Sequence, residues 1–162
     1  MSQVEIQGYV PGAIGRIVEL HGLYYSREWG FGKFFEAKVA TELAEFINRL
    51  DQAQDGLWTV CRENHVQGAI AIDGIKAGTD AAHLRWFILS TGLKGQGLGN
   101  QLLGRALGFC REKAYKKVFL WTFQGLDTAR HLYEKHGFNL AEENKGSQWG
   151  TTVIEQKFIL EL

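Results

Sequence analysis

Residues 84–122 read LRWFILSTGLKGQGLGNQLLGRALGFCREKAYKKVFLWT, and this stretch decides the fold. Residues 82–89 are mostly apolar, as expected for a central strand that is buried on both faces. After a glycine-rich turn, apolar residues at helical spacing predict a helix over about residues 98–114. Residues 117–122 then predict a further strand. The stretch is therefore a strand–helix–strand unit whose glycines lie where the first strand leads into the helix.

The glycine-rich turn, GLKGQGLG at residues 92–99, does not fit the familiar nucleotide fingerprints. Gly-x-Gly-x-x-Gly started at Gly95 would need a glycine at position 100, which is Asn100, and the acidic residue expected about 20 positions later is missing. Backbone amides at a helix N-terminus nevertheless form a ready site for phosphate. The helix behind the turn is basic, which favours a phosphate group over the alternative, a glycine-rich connector without a ligand.

Outside this unit, apolar periodicity predicts the remaining elements. Asp127 is the expected N-cap of a late helix, and Gly137 the left-handed residue that follows its end. The predicted order β-α-α-β-β-β-α-β-α-β-β describes an α/β protein with a mixed sheet and helices on both faces. The other predicted elements are a strand at 3–9, helices from after Gly12 to about Ser26 and from Phe35 to Leu50, a hairpin of 57–62 and 66–72, and strands near 138–142 and 151–160.

Length and composition limit the class of protein. A chain of 162 residues with 45% apolar and 22% charged residues is typical of one globular domain, here residues 1–162. The 18 basic residues are balanced by 18 acidic ones, which argues against a nucleic-acid partner. The sequence shows neither an apolar run of about 20 residues nor a secretory signal. We therefore expect no membrane partner. Because two cysteines make no disulfide framework, we also expect a cytoplasmic protein.

Two motifs carry a family resemblance. The stretch at 84–122 resembles the acetyl-CoA-binding core of the GNAT superfamily of N-acetyltransferases, in which an Arg/Gln-x-x-Gly-x-Gly/Ala turn joins a strand to a helix. Gly97 and Gly99 match its glycines, and Lys94 stands where Arg or Gln is usual. ARHLYEKHGF at 129–138 is similar to the family's A-x-x-L-Y-E-x-x-G-F. A third set is similar to acetyltransferase halves of fusions with a MarR-type DNA-binding domain: His21, Gly22, Tyr25, Glu28, Gly30, Phe35 and Glu36.

The resemblance implies a GNAT-like, mostly antiparallel sheet and a direct transfer of acetyl from acetyl-CoA to a primary amine, without a metal. The acceptor would be a small molecule or a peptide, and relatives often form homodimers. Tyr133 would be the general acid for the leaving thiolate. The implied cofactor-binding residues are Phe87, Ile88 and Leu89 on the strand, and Lys94, Gly95, Gln96, Gly97, Leu98, Gly99 and Asn100 in the turn. A GNAT-like acyl-CoA sensor without turnover is the alternative function.

The general base is harder to assign because residues 83–87 of the central strand contain no carboxylate. Glu28 is the first candidate, since it lies in the loop region between the first two predicted helices. Glu36, Asp73, His83 and a relay through ordered water stay open. The aromatic candidates for an acceptor pocket are Trp29, Phe31, Trp86 and Trp149. Cys110 lies on the apolar face of its predicted helix, which indicates core packing and not a nucleophile.

Overall fold

The computed structural model describes residues 3–74 and 80–162, and their elements follow the predicted order. This confirms a mixed, mostly antiparallel sheet with helices on both faces. The strands are β1 (Val4–Gln7), β2 (Gly56–Arg62), β3 (His65–Asp73), β4 (Ala81–Leu89), β5 (Lys117–Phe123), β6 (Asn139–Gly146) and β7 (Val153–Glu161). The helices are α1 (Ala13–Trp29), α2 (Lys33–Asn48), α3 (Leu98–Glu112) and α4 (Asp127–Lys135).

The sheet has the strand order β1-β2-β3-β4-β5-β7-β6. Neighbouring strands are antiparallel except β4 and β5, which are parallel and are joined through α3. Their pairing covers only Ala81 to His83 of β4, opposite residues 117–119 of β5. By contrast, β4 stays paired with β3 as far as Leu89. The two parallel strands therefore separate beyond His83 and leave a gap in the middle of the sheet.

The buried side chains form one cluster on each face of the sheet. Helices α3 and α4 pack on one face, where Leu84, Leu120 and Phe158 belong to the core. Helices α1 and α2 pack on the other face with Ala69 and Phe123. A gap between β4 and β5 therefore opens toward a different pair of helices on each side.

Several boundaries differ from the predicted ones for local reasons. Strand β6 runs to Gly146, beyond the predicted end near residue 142, and its first seven residues are exposed. Its sequence shows no alternation because β6 is an edge strand, and such strands carry charged residues. Asp127 is the first helical residue of α4 and its side chain makes no cap, so that prediction is wrong. No helix in the described ranges is long and apolar enough to cross a membrane.

Candidate active site

A cavity of about 720 Å³ occupies the gap between β4 and β5. Its walls come from both faces of the sheet: α1 and α2 contribute on one side, and the β4–α3 turn and α4 on the other. Residues 84–89 and 120–123 of the separated strands form the waist between the two halves. We call the part beside α3 and α4 the turn half and the part beside α1 and α2 the helix-pair half. The central cavity thus connects two chemically different surfaces.

A β-bulge in β4 shapes the waist. Opposite β3, three steps along β4 from Ile88 to Arg85 match only two steps from Ala69 to Ala71. Trp86 has a positive φ of 48° at this point, a conformation that L-residues rarely adopt. Such a bulge bends its strand and redirects side chains. Arg85 and Trp86 consequently both face α1 and α2, with the guanidinium of Arg85 4.1 Å from the ring centroid of Trp86.

The glycine-rich turn lies at the mouth of the turn half. Gly95 and Gly97 have φ values of 82° and 78°, which a residue with a Cβ adopts only under strain. No side chain caps the N-terminus of α3 at Gly97. The first-turn amides of this helix and its dipole are therefore directed at the space in front of the turn. Lys94 adds a positive charge there, and its Nζ lies 4.7 Å from the ring centroid of Tyr24.

The predicted cofactor residues divide into lining residues and turn residues. Six of them line the cavity: Phe87, Ile88, Leu89, Lys94, Gly95 and Gly99. Gln96, Gly97 and Asn100 are exposed on the adjoining turn, and Leu98 is buried beneath it. The carboxamide oxygen of Asn100 accepts a hydrogen bond of 2.7 Å from Nε2 of His136, which ties the start of α3 to the end of α4. The structure therefore brings the predicted cofactor-binding residues together along one wall of the cavity and at its mouth.

Tyr133 lines the cavity from α4 and is 7% exposed. Its ring packs against Phe87, Phe138 and Phe158, at centroid distances of 6.2, 5.8 and 6.3 Å. Burial raises the pKa of Tyr133 well above the ordinary value for tyrosine. The phenol consequently keeps its proton at neutral pH and faces the cavity as a hydrogen-bond donor.

His21, which is buried, and Tyr25, which is half-buried, face the same space from α1. Burial raises the pKa of Tyr25, and the nearby Tyr133 raises it further. His21 donates its Nδ1–H to the carbonyl of Ile17 at 2.8 Å. Burial lowers the pKa of His21 to about 4, although the Ile17 hydrogen bond partly opposes this shift. The imidazole is therefore neutral at pH 7.

A group of charges closes the helix-pair half near β4. Glu42 on α2 receives Arg85 on one carboxylate oxygen and Lys38, at 2.6 Å, on the other. Arg85 also binds the buried carboxylate of Asp73 at 3.1 Å, and Arg49 reaches the same carboxylate at 2.8 Å. Sequence reasoning missed Glu42, because a lysine and a glutamate four residues apart on a helix look like an ordinary surface pair.

The candidates for the general base lie in different places. Glu28, on the last turn of α1, and Glu36, on α2, are both exposed, and neither lines the cavity. His83 lines it and stacks on Phe119 with the ring centroids 4.5 Å apart. Asp73 is buried in the ion pairs with Arg49 and Arg85. The structure therefore does not bring Glu28 to Tyr133.

Of the four aromatic candidates for an acceptor pocket, two line the cavity and two lie outside it. Trp86 and Trp149 line the cavity. Trp29 instead packs edge-on against Phe123, with the ring centroids 5.0 Å apart, and Phe31 is buried in the core beside it. Periodicity could not separate the two pairs, since all four are aromatic residues near the predicted loops or strands.

In the described ranges, neither a lining cysteine nor a cluster of metal-binding side chains is found at the cavity. Cys110 is fully buried, and burial raises its pKa to about 12, so its thiol is not a nucleophile at neutral pH. No cysteine is among the described residues that line the cavity. Within the same ranges, no three histidine, cysteine or acidic side chains are grouped to hold a metal ion.

Comparison with known proteins identifies this arrangement. The family model described as the acetyltransferase (GNAT) family matches residues 15–138. The chain belongs to the GNAT acetyltransferase family. The match includes the glycine-rich turn, the separated part of β4 and Tyr133. A search of curated proteins found no match.

Solved structures share the fold at low sequence identity. The ribosomal-protein-alanine N-acetyltransferase of Brucella melitensis is 14% identical with a TM-score of 0.77, covering 98% of this chain and 99% of that one. A GNAT acetyltransferase of Staphylococcus aureus is 15% identical with a TM-score of 0.76 and covers 99% of both chains. The YncA protein of Salmonella typhimurium, solved with its cofactor acetyl-CoA, is 14% identical with a TM-score of 0.76, covering 98% and 94%.

Proposed function

We propose that residues 1–162 form a single N-acetyltransferase domain that transfers acetyl from acetyl-CoA directly to a primary amine. The observation that carries the proposal is the central cavity, which joins an uncapped helix N-terminus to a buried tyrosine through a gap between parallel strands. The acetyl-CoA bound in the Salmonella relative supports the identity of the cosubstrate. The finer likeness to MarR-fusion acetyltransferases is also proposed, since His21, Tyr25 and Phe35 of that pattern line the cavity.

The cosubstrate would lie along β4 and against the turn. Beyond His83, the edge of β4 is no longer paired with β5, so the backbone of Phe87 to Leu89 is free to pair with the amides of the pantetheine arm. The pyrophosphate would accept hydrogen bonds from the amides of residues 95–100, where the helix dipole favours negative charge. Lys94 supplies a point charge there, without the planar fork of an arginine.

Acetyl transfer needs an acid for the departing thiolate, and the proposed acid is Tyr133. Its phenol is protonated at neutral pH and faces a cavity from which most water would be displaced. A free thiolate is costly in such surroundings, so a positioned O–H stabilises the transition state more than the ground state. The absence of a cysteine among the described lining residues favours attack by the amine itself over an acyl-enzyme.

A general base must remove a proton from the amine substrate. Glu28 is retained as the proposed base, acting from the end of α1 through water, because the side chain does not line the cavity. Within the cavity, the carboxylate of Glu42 is an alternative, although both its oxygens are held by cations. The pH dependence of turnover in Glu28→Gln and Glu42→Gln separates these two candidate bases.

Two glycines of α3 provide a matched test of cosubstrate binding. A Cβ on Gly99 would point at Leu132, Leu89 and Phe87 in the cavity wall at 3.4–3.7 Å, without backbone strain. A Cβ on Gly104, in the same helix, would meet nothing within 4 Å. We expect Gly99→Val to weaken acetyl-CoA binding at least tenfold in calorimetry and Gly104→Val to leave it unchanged.

Turnover is tested by amine-dependent release of the CoA thiol. If the protein is an acetyltransferase, release of the CoA thiol must depend on both acetyl-CoA and an amine. Tight acetyl-CoA binding with no release across amines of varied size and charge would overturn it. Equal acetyl-CoA affinity in the two folded glycine variants would overturn the placement of the cosubstrate.

A further inference from the structure

The helix-pair half of the cavity is lined mainly by aromatic rings. Six of them belong to this half: Tyr25, Phe35, Trp86, Trp121, Phe123 and Trp149. Several are in mutual contact, with ring centroids 5.0 Å apart for Tyr25 and Phe35, 6.1 Å for Tyr25 and Phe123, and 5.6 Å for Phe123 and Trp149. Such a surface gains free energy by burying an apolar group, and its ring faces also attract a single ammonium ion.

The charges along the cavity oppose a polycation. The described lining contains four cationic side chains, Lys38, Arg85, Lys94 and Lys135, and two carboxylates, Glu42 and Asp127. Lys94, Lys135 and Asp127 belong to the turn half, which leaves Lys38, Arg85 and Glu42 in the helix-pair half. Both oxygens of Glu42 are already paired with these two cations. A substrate with several ammonium groups would therefore find no unpaired carboxylate among the described lining residues of the helix-pair half.

His21 removes one further source of repulsion. Its ring lies 6.1 Å from the ring of Tyr25 and 6.4 Å from that of Phe35, within the aromatic wall. A neutral imidazole in this place adds no charge to the helix-pair half at pH 7. The wall of α1 is therefore uncharged at pH 7 where it faces Tyr133.

Resting on the proposed function, we propose that the acceptor is a primary amine with one positive charge, carried on an aromatic or bulky apolar group. The amine would reach the acetyl group at the waist, and the apolar group would remain among the rings of the helix-pair half. A free arylalkylamine and an aromatic amino acid both present this chemistry. They differ in a carboxylate, which would have to compete with Glu42 for Lys38 and Arg85.

The test compares kcat/KM for 2-phenylethylamine, ethylamine, spermidine and L-phenylalanine. We expect 2-phenylethylamine to exceed both ethylamine and spermidine by at least tenfold. L-Phenylalanine distinguishes the source: a higher kcat/KM than that of 2-phenylethylamine indicates an amino acid, and a lower one a free amine. Spermidine or ethylamine as good as 2-phenylethylamine would overturn the proposal.

Trp149 allows the wall itself to be tested. It is half-buried, follows β6 in the chain and lines the cavity, so its truncation leaves the central strands intact. Trp149→Ala should raise KM for 2-phenylethylamine at least fivefold without raising KM for ethylamine, and Trp149→Phe should restore most of the difference. Tyr9→Ala is the control, because Tyr9 is 53% exposed and lies outside the cavity. Equal changes for both amines would contradict a role for this ring in acceptor choice.

Equilibrium binding separates this inference from the proposed function. Trp86, Trp121 and Trp149 line the cavity, so ligand binding in the presence of CoA should change tryptophan fluorescence. Selective binding of 2-phenylethylamine without CoA release would overturn the enzyme and retain the ligand class. Turnover without preference for the aryl amine would retain the enzyme and overturn the ligand class. Neither binding nor turnover would overturn both.

Discussion

At the scale of single residues, Tyr133 carries the most specific prediction. Tyr133→Phe deletes one oxygen and keeps the ring that packs against Phe87, Phe138 and Phe158. Stability and acetyl-CoA affinity should hardly change, whereas turnover should fall by roughly 10²- to 10⁴-fold, the usual range for a general acid. Tyr115→Phe is the matched control, since the Tyr115 hydroxyl binds the carbonyl of Gln54 at 2.8 Å outside the cavity. Normal turnover in Tyr133→Phe would reduce this residue to a packing role.

The assignment of the base is a second residue-scale prediction. If Glu28 is the base, Glu28→Gln should lower kcat by roughly 10²-fold and remove the acidic limb of the pH profile. Glu42→Gln is the comparison, because Glu42 lines the cavity and Glu28 does not. A retained acidic limb in Glu28→Gln, together with its loss in Glu42→Gln, would transfer the role to α2.

These residues also show how far the sequence reaches. Tyr133 could be predicted because it belongs to a contiguous motif whose spacing is a property of the chain. Glu42 and Arg85 could not, because their meeting depends on how α2 lies across β4 and on a bulge that turns Arg85 and Trp86 to the same face. A one-residue change in register reverses the face that each side chain meets, and no local pattern records it.

At the scale of elements, the end of α4 shows a fit between sequence and geometry. Gly137 has a φ of 99°, its N–H binds the carbonyl of Glu134, and the N–H of Phe138 binds that of Tyr133. The positive φ confirms the predicted left-handed glycine, and the pattern of two bonds is a Schellman motif. It fixes the last turn of the helix that carries Tyr133.

Two glycine substitutions should therefore change stability in opposite directions. Gly137→Ala forces a Cβ into the left-handed region and within 3.1 Å of Leu160, which should cost about 1–2 kcal/mol. Gly108→Ala lies on the exposed side of α3, where a Cβ meets nothing within 4 Å, and should stabilise by about 0.8–1 kcal/mol. Urea unfolding measures both. A Gly137→Ala variant as stable as the wild type would show that the end of α4 does not depend on the glycine.

At the scale of the whole molecule, the cavity exists because two parallel strands part while each keeps its other neighbour. Strand β4 follows β3 to Leu89 and β5 follows β7 to Phe123, so the sheet stays continuous at its base and opens above His83. The element order and the glycine turn were predictable from patterns along the chain. The two-faced cavity was not, because it brings together side chains from positions 21 to 149 that share no local signal.

The helix-pair side of this cavity also makes folding depend on pH. The pKa of His21 is about 4 in the folded state, below its ordinary value of 6.5, because the ring is buried. A depressed folded pKa means that stability is fully present above pH 6.5 and is lost as pH falls toward 4, since only the unfolded chain binds the proton there. The shift corresponds to about 3 kcal/mol between pH 7 and pH 4.

His21→Phe keeps a ring beside Tyr25 and Phe35 and removes the titration, so it isolates this effect. Carboxylates titrate in the wild type and the variant alike, and the difference between their unfolding free energies should therefore change by about 3 kcal/mol from pH 7 to pH 4. Urea unfolding at a series of pH values gives this difference. His65→Phe is the control for replacing a histidine by phenylalanine, because His65 is exposed in the β2–β3 hairpin and lies outside the cavity. If the unfolding free energies of the wild type and His21→Phe depend on pH in the same way, His21 must also bind a proton in the folded protein. The cavity wall formed by α1 would then not be the uncharged surface on which the proposed acceptor, an amine carried on an apolar group, depends.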